Sequence, residues 1–275
     1  MKKTGLFLLT ICQCIIAKAQ QDSTFHETHL PLKINHAEPV YIDMIRDLGA
    51  RKGEKELNLG WQMNQKTNYM EQGGFVEYEF SPLNRLGLEV EIPFNYYYTD
   101  LSKNSEPLPN EKIEGVKLAA QYTFLVSPKY QASMAFGTIY ELELHSYKTF
   151  SRNKQALIGN DLNPFLIVAK RFGQNFHTLI YTGPVFHREF QSTEHYVEYQ
   201  INLSAHYILP HTKNFIGIEI NQEIIQDKPK TIIRPQIKLK LAQGIALGLA
   251  TGIPTQPKNS GLSFIARLIY EPKTK

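Results

Sequence analysis

Cysteine is almost absent from this sequence. The chain of 275 residues contains 2, Cys12 and Cys14, both near the N-terminus. If that segment is removed, disulfides, a thiolate metal site and a catalytic thiol are all excluded. Long apolar runs are equally scarce. The single one, from Gly5 to Ile16, is too short to cross a bilayer as a helix, and mean hydropathy is −0.31. A polytopic helical membrane protein is therefore excluded. Charge of one sign is lacking too: 30 Lys and Arg stand against 26 Asp and Glu. Lys2, Lys3 and Lys18 supply most of the excess, so the rest of the chain is nearly neutral and carries no nucleic-acid signature. These absences leave a transmembrane β-barrel open, because its strands alternate apolar and polar residues and average to a soluble-looking composition.

Lys2 and Lys3 precede the apolar run, and Ala17-Lys18-Ala19 closes it with small residues where signal peptidase reads. Residues 1–19 are expected to be a cleaved signal peptide, with the mature chain starting at Gln20. Ile11 and Gln13 precede the two cysteines, which argues against lipidation. Residues 20–37 are polar, with three histidines, His26, His29 and His36, and are expected to form a flexible tail in the periplasm. Residues 38–55 differ. Pro39 suits a first helical turn, apolar residues follow at Val40, Tyr41, Met44, Ile45 and Leu48, and Gly49 suits a stop. This spacing predicts a short amphipathic helix over 38–49 with a basic linker behind it.

From Glu56 the apolar period changes to two and stays there to the C-terminus. Leu57, Leu59, Trp61 and Met63 alternate with Glu56, Asn58, Gly60 and Gln62. The same alternation marks about twelve strands over 56–275, many long enough to cross a membrane at a tilt. Short connections such as Ser127-Pro128-Lys129, Phe172-Gly173-Gln174-Asn175 and Gln243-Gly244 carry turn chemistry. Longer polar ones lie at 97–112 and 147–160, and Gly73-Gly74 reads as a hairpin signal. Short turns at one end and longer loops at the other predict an all-β, up-and-down antiparallel barrel of the outer-membrane kind.

Strand 245–253 decides which face is which. Ile245, Leu247, Leu249 and Ile253 form one face, whereas Ala246, Gly248, Ala250 and Gly252 form the other, which is suited to a crowded lumen. The charged alternates then line the lumen. The acidic set is Glu77, Glu79, Glu89, Glu91, Glu141, Glu143, Glu219 and Glu223, with His145 beside it. The basic set is Arg234, Lys238, Lys240 and Arg267. Glu219 and Glu223 are expected to face Lys238 and Lys240 across a ladder. Outward placement would cost about 2–4 kcal/mol for each Lys or Arg at the bilayer midplane.

The stretch His36-Ala37-Glu38-Pro39-Val40-Tyr41-Ile42-Asp43, running on through Ile45-Arg46-Asp47-Leu48-Gly49-Ala50-Arg51-Lys52-Gly53-Glu54-Lys55-Glu56, resembles the opening of a family of Gram-negative outer-membrane β-barrel proteins. Pro82-Leu83-Asn84-Arg85-Leu86-Gly87-Leu88-Glu89 resembles it too. More loosely, the whole chain is similar to outer-membrane transporter barrels of the aromatic-degradation (MetA-type) class. The resemblance implies a barrel and a compartment, the cell outer membrane, and no activity.

No phosphate loop, dinucleotide fingerprint, zinc-protease helix or nucleophile elbow is present, so no cofactor is expected. Asn202, Ser204 and His206 share one strand face, the residue types of an outer-membrane lipid hydrolase, but the neighbouring lipid face carries Ile201, Leu203, Ala205 and Tyr207. The favoured reading is a passive channel for a small polar or charged solute, with outer-membrane lipids as the other partner and no nucleic acid. The alternatives are an outer-membrane enzyme and a closed structural or interaction barrel. The 38–55 segment is expected to plug or cap the periplasmic mouth, with Tyr41, Asp43, Arg46, Asp47, Arg51 and Lys52 as its working residues.

Overall fold

The two-residue alternation builds one closed sheet. A computed structural model describes residues 30–42, 44–66, 69–99, 111–144, 156–190, 195–256 and 261–273. The chain divides into two compact units, Met1–Pro31 and Leu32–Lys275, and the second carries all of the described strands. His26, His29 and the signal peptide lie outside the described residues.

The strands are β1 (Lys55–Gln65), β2 (Tyr69–Leu83), β3 (Leu86–Thr99), the two-residue β4 (Lys112–Ile113), β5 (Gly115–Ser127), β6 (Ala132–Leu144), β7 (Leu157–Phe172), β8 (Phe176–Glu189), β9 (His195–Ile208), β10 (Phe215–Ile225), β11 (Lys228–Ala242), β12 (Ile245–Pro254) and β13 (Ser263–Tyr270). Each long strand pairs antiparallel with its sequence neighbours, and β1 closes on β13. Because β4 only extends the edge of β3 through Phe94 and Asn95, the wall is a barrel of twelve long strands. Turns at 84–85, 128–131, 173–175, 209–214 and 243–244 close one end, where β1 begins and β13 finishes. Gly173 and Gly244 hold the left-handed backbone that those two turns require (φ 66° and 72°).

The faces fall as the alternation requires. Leu59, Trp61, Val76, Ile92, Leu166, Ile180, Leu203 and Ile218 point out and are exposed, while Asn58, Glu77, Gln121, Asn202, Glu219 and Arg267 point in and are buried. An apolar outer wall of this extent has the character of a transmembrane barrel's outer face.

Three expectations are corrected. Gly73-Gly74 lies inside β2 rather than in a hairpin. Added Cβ atoms there would lie 2.4 Å from Asn95 Oδ1 and 2.6 Å from the Phe94 ring, so the glycines serve close approach of side chains. Glu219 faces Arg234 and Glu223 faces Lys230, not Lys238 and Lys240. The cause is the tight turn Gln226-Asp227, left-handed at both residues (φ 48° and 61°), which closes the hairpin directly after Ile225.

The third correction concerns residues 38–49. No helix occurs among the described residues, and 38–42 with 44–49 run as irregular chain. Arg46 and Gly49 are left-handed (φ 64° and 86°), which interrupts any helix. The apolar residues that suggested a single helical face separate onto two walls. Val40 joins Phe215, Ala250 and Ile265, whereas Met44, Ile45 and Leu48 join Ala135, Phe165, Ile167 and Leu179. A chain crossing a lumen satisfies that split, and a helix lying on one wall does not.

Candidate functional site

The site grows from inward side chains that hold a peptide backbone. A segment without secondary structure must find partners for its N–H groups or lose about 1–3 kcal/mol for each one buried without a partner. Here the barrel wall supplies them. The Ala37 N–H donates to His177 Nδ1 (2.8 Å) and the Val40 N–H to Gln236 Oε1 (2.7 Å). Both oxygens of Glu219 are used, accepting from the Tyr41 N–H (2.9 Å) and the Ile42 N–H (3.2 Å). The Arg46 N–H donates to Glu79 Oε2 (2.6 Å) and the Gly49 N–H to Thr123 Oγ1 (2.9 Å). Gln121 Nε2 donates in turn to the Arg46 carbonyl (3.0 Å). The acceptors sit on β2, β5, β8, β10 and β11, so the segment is bound from several sides of the wall.

Side chains add to the grip. Arg46 Nη1 donates to Glu56 Oε2 (2.7 Å), and Arg267 Nη2 to Glu77 Oε1 (2.8 Å). Asn58 Nδ2 lies within hydrogen-bonding distance of Glu56, Glu77 and Glu79. The carboxylates of Glu77, Glu79 and Glu89 come within 4.8 Å of one another. Such a cluster suits a cation, and the guanidinium groups of Arg46 and Arg267 already contact it. Tyr41 lies flat under Arg234, its ring 3.4 Å from the guanidinium carbon, a cation–π contact.

Glycines on the wall make room. An added Cβ at Gly87 would stand 2.1 Å from the Ile45 carbonyl oxygen, and one at Gly248 would stand 3.0 Å from Val40 Cγ1. Both positions serve the inserted chain rather than the sheet.

The ionisable groups of the segment are shifted by this enclosure. Burial raises Glu38 well above the usual carboxylate range, aided by the charge of Asp47 and opposed by Lys238. Burial would raise Asp47 too, but the hydrogen bond from Glu38 and the cations Lys33 and Arg46 hold it far below that range. Burial, with His177 and Arg171 nearby, lowers His36 to about 4. For Lys33, burial works downward, but Asp47 and Glu54 outweigh it and its pKa is raised.

The segment that binds the wall falls within a family match: the HAEPLYID-like family matches residues 32–271. The chain belongs to the HAEPLYID-like family. No curated protein sequence matches it. Among solved structures, it is similar to the COG4313 outer membrane channel from Pseudomonas putida F1, at 14% identity and TM-score 0.63, over 84% of this chain and 100% of that one. It is also similar to the KdgM porin (12% identity, TM-score 0.52, 78% of this chain and 99% of that one) and the NanC porin (8% identity, TM-score 0.52, 79% and 99%). These likenesses show the fold: a closed antiparallel β-barrel of the kind that outer-membrane channels have.

Most of the expected lumen residues meet on the inner face. Glu77, Glu79, Glu89, Glu91, Glu219, Arg234 and Arg267 are buried there. Lys117 Nζ lies 2.9 Å from Glu91 and 4.0 Å from Glu141. Glu143 is half-buried, Glu223 pairs with Lys230 at a more exposed position (3.0 Å), and Lys240 is exposed at the turn end. His145 and Asp43 lie outside the described residues. Among the expected plug residues, Tyr41, Arg46 and Asp47 engage partners, Asp47 through Lys33. Arg51 and Lys52 form no ion pair among the described residues, and Lys52 touches the wall through its N–H, which donates to Asn84 Oδ1 (2.9 Å).

Sequence reasoning missed Lys33, His36, Glu38, Asn58, Gln121, Thr123, His177 and Gln236. Lys33, His36 and Ala37 belong to the stretch read as tail, yet His36 Nε2 sits 3.0 Å from Ser133 Oγ. One signal was present. Phe165-Leu166-Ile167-Val168-Ala169 is apolar on both faces, the mark of a strand covered on both sides. The inner cover is Met44, Ile45 and Leu48.

Ser204 and His206 are not hydrogen-bonded to each other. Among the described residues Ser204 Oγ has no hydrogen-bond partner, and His206 Nε2 is engaged by Gln236 (3.1 Å). Both are buried on the inner face of the barrel.

Proposed function

We propose that this protein is an outer-membrane channel for a small polar or charged solute, and that residues 33–50 form a plug in its lumen, held by side chains of the wall. The observation that carries this reading is the set of backbone N–H groups of the family motif bonded to His177, Gln236, Glu219, Glu79 and Thr123. A wall built only to be solid has no need of a peptide held through side-chain hydrogen bonds, each of which exchanges for water at a net gain of only about 0.5–3 kcal/mol. A segment held in this way is releasable. With both termini of the barrel at the turn end, the plug enters from the periplasm. The motif region 38–55 thus acts as a gate rather than as a separate domain. Charged inner walls of both signs can orient a zwitterionic or charged solute.

Single-channel recording in planar bilayers tests this. The chain lacking residues 33–50 should conduct more than the full chain. Equal conductance in the two, with both barrels folded by circular dichroism, contradicts the plug.

A further inference from the structure

At the turn end the plug leaves a cavity of about 480 Å³ between itself and the wall. That volume lies in the range of small-molecule sites. Its lining mixes plug residues (Lys33, Asn35, His36, Glu38, Asp47) with the rim of the barrel (Arg171, Gln174, His177, Lys213, Lys238, Lys240 and Glu271).

The charges do not balance. Lys33 is matched by Asp47 and Glu54, and Lys238 donates to Glu38 Oε2 (2.9 Å). Arg171, Lys213 and Lys240 form no ion pair among the described residues, and only the Glu271 carboxylate remains among the lining residues to answer them. Arg171 Nε is buried without a hydrogen-bond partner. Asn35, Gln174 and Thr212 add neutral polar groups, and Ile208, Ile245 and Ile269 add apolar wall. Three unanswered cations, polar neighbours and an apolar floor form a receptor for an acceptor-rich molecule with a carbon skeleton. Arg171 is half-buried and Lys213 and Lys240 are exposed at the rim, so a bound anion would supply charge-assisted hydrogen bonds where the wall offers little counter-charge of its own.

We infer that this vestibule binds a small organic anion bearing a carboxylate and hydroxyl groups, held by Arg171, Lys213 and Lys240. Because His36, Ala37 and Glu38 form one side of the cavity, the bound anion touches the plug directly. This names the solute class of the proposed channel, and its role in transport rests on that reading; binding itself does not.

The test is calorimetric titration of the folded full chain in detergent micelles, with gluconate as the probe. Saturable binding is expected. Arg171→Gln and Lys240→Gln should each weaken it by at least about tenfold, the scale of one charged hydrogen bond. Lys129→Gln, which removes a cation from the 128–131 turn outside the cavity, should leave it unchanged. Choline should give no saturable heat, and inorganic phosphate should bind more weakly than gluconate. Absence of gluconate saturation, an unchanged affinity in Arg171→Gln and Lys240→Gln, or phosphate binding as tightly as gluconate overturns the inference. Conductance of the plug-deleted chain fails or succeeds independently of these titrations, so the two proposals are separable.

Discussion

Replacing Glu219 with Gln isolates the plug from the rest of the barrel. The Glu219 carboxylate is 1% exposed and accepts two plug N–H groups, from Tyr41 at 2.9 Å and Ile42 at 3.2 Å. Gln keeps the shape and one acceptor oxygen but replaces the other with a donor, which faces an N–H. One hydrogen bond to a charged group is lost, worth about 1.5–3 kcal/mol. At about 1.4 kcal/mol per tenfold, the ratio of released to docked plug rises by roughly ten- to a hundredfold. Asn221 and Arg234 flank Glu219, and the variant leaves both side chains in place. Single-channel recording reads the effect as the fraction of time spent in the larger conductance. A Glu219→Gln channel with wild-type open fraction and wild-type β-content would refute the reasoning, because the carboxylate would then not be holding the plug.

Two further perturbations act on the same geometry. Gly87→Ala places a methyl group 2.1 Å from the Ile45 carbonyl oxygen, so the plug must shift at a cost of about 1–3 kcal/mol, and the open fraction should rise while the melting temperature of the barrel stays within a few degrees of wild type; an unchanged open fraction contradicts this. For pH, released His36 titrates near 6.5 and docked His36 at about 4, so between these values the released form binds more protons. Docking is therefore strongest above pH 6.5 and weakens as pH falls, by up to about 3 kcal/mol near pH 4. The open fraction should climb over that window in the wild type and respond less in His36→Asn, and identical pH profiles would exclude His36 as the cause.

The strands were legible because each carries its own signal. Ile245, Leu247 and Leu249 against Ala246, Gly248 and Ala250 state which face points out of the barrel without reference to any other strand. The turns were legible for the same reason, with Gly173 and Gly244 supplying left-handed backbone. The plug contacts were not, because their partners are distant in the chain: Ala37 and His177 are separated by 140 residues, Val40 and Gln236 by 196. A helical spacing at Val40, Met44, Ile45 and Leu48 was real, but it served two walls. Local propensity lost to a lumen that offered side-chain acceptors to the N–H groups of Val40, Tyr41, Ile42, Arg46 and Gly49. The Glu219 ladder partner was missed because register depends on the exact turn, and Gln226-Asp227 has none of the glycine that marks such turns.

The most direct test of the plug is a reversible covalent lock. Val40 Cβ lies 3.6 Å from the position of a Cβ added at Gly248, within the span of a disulfide. The sequence beyond residue 14 contains no cysteine to interfere. Val40→Cys and Gly248→Cys should be combined with Glu219→Gln and recorded in a planar bilayer under oxidising and then reducing conditions. Persistent low conductance is expected while the bond is closed, with a return of the larger openings once it is reduced. Large openings in the oxidised channel, with the disulfide confirmed by mass spectrometry, would contradict it.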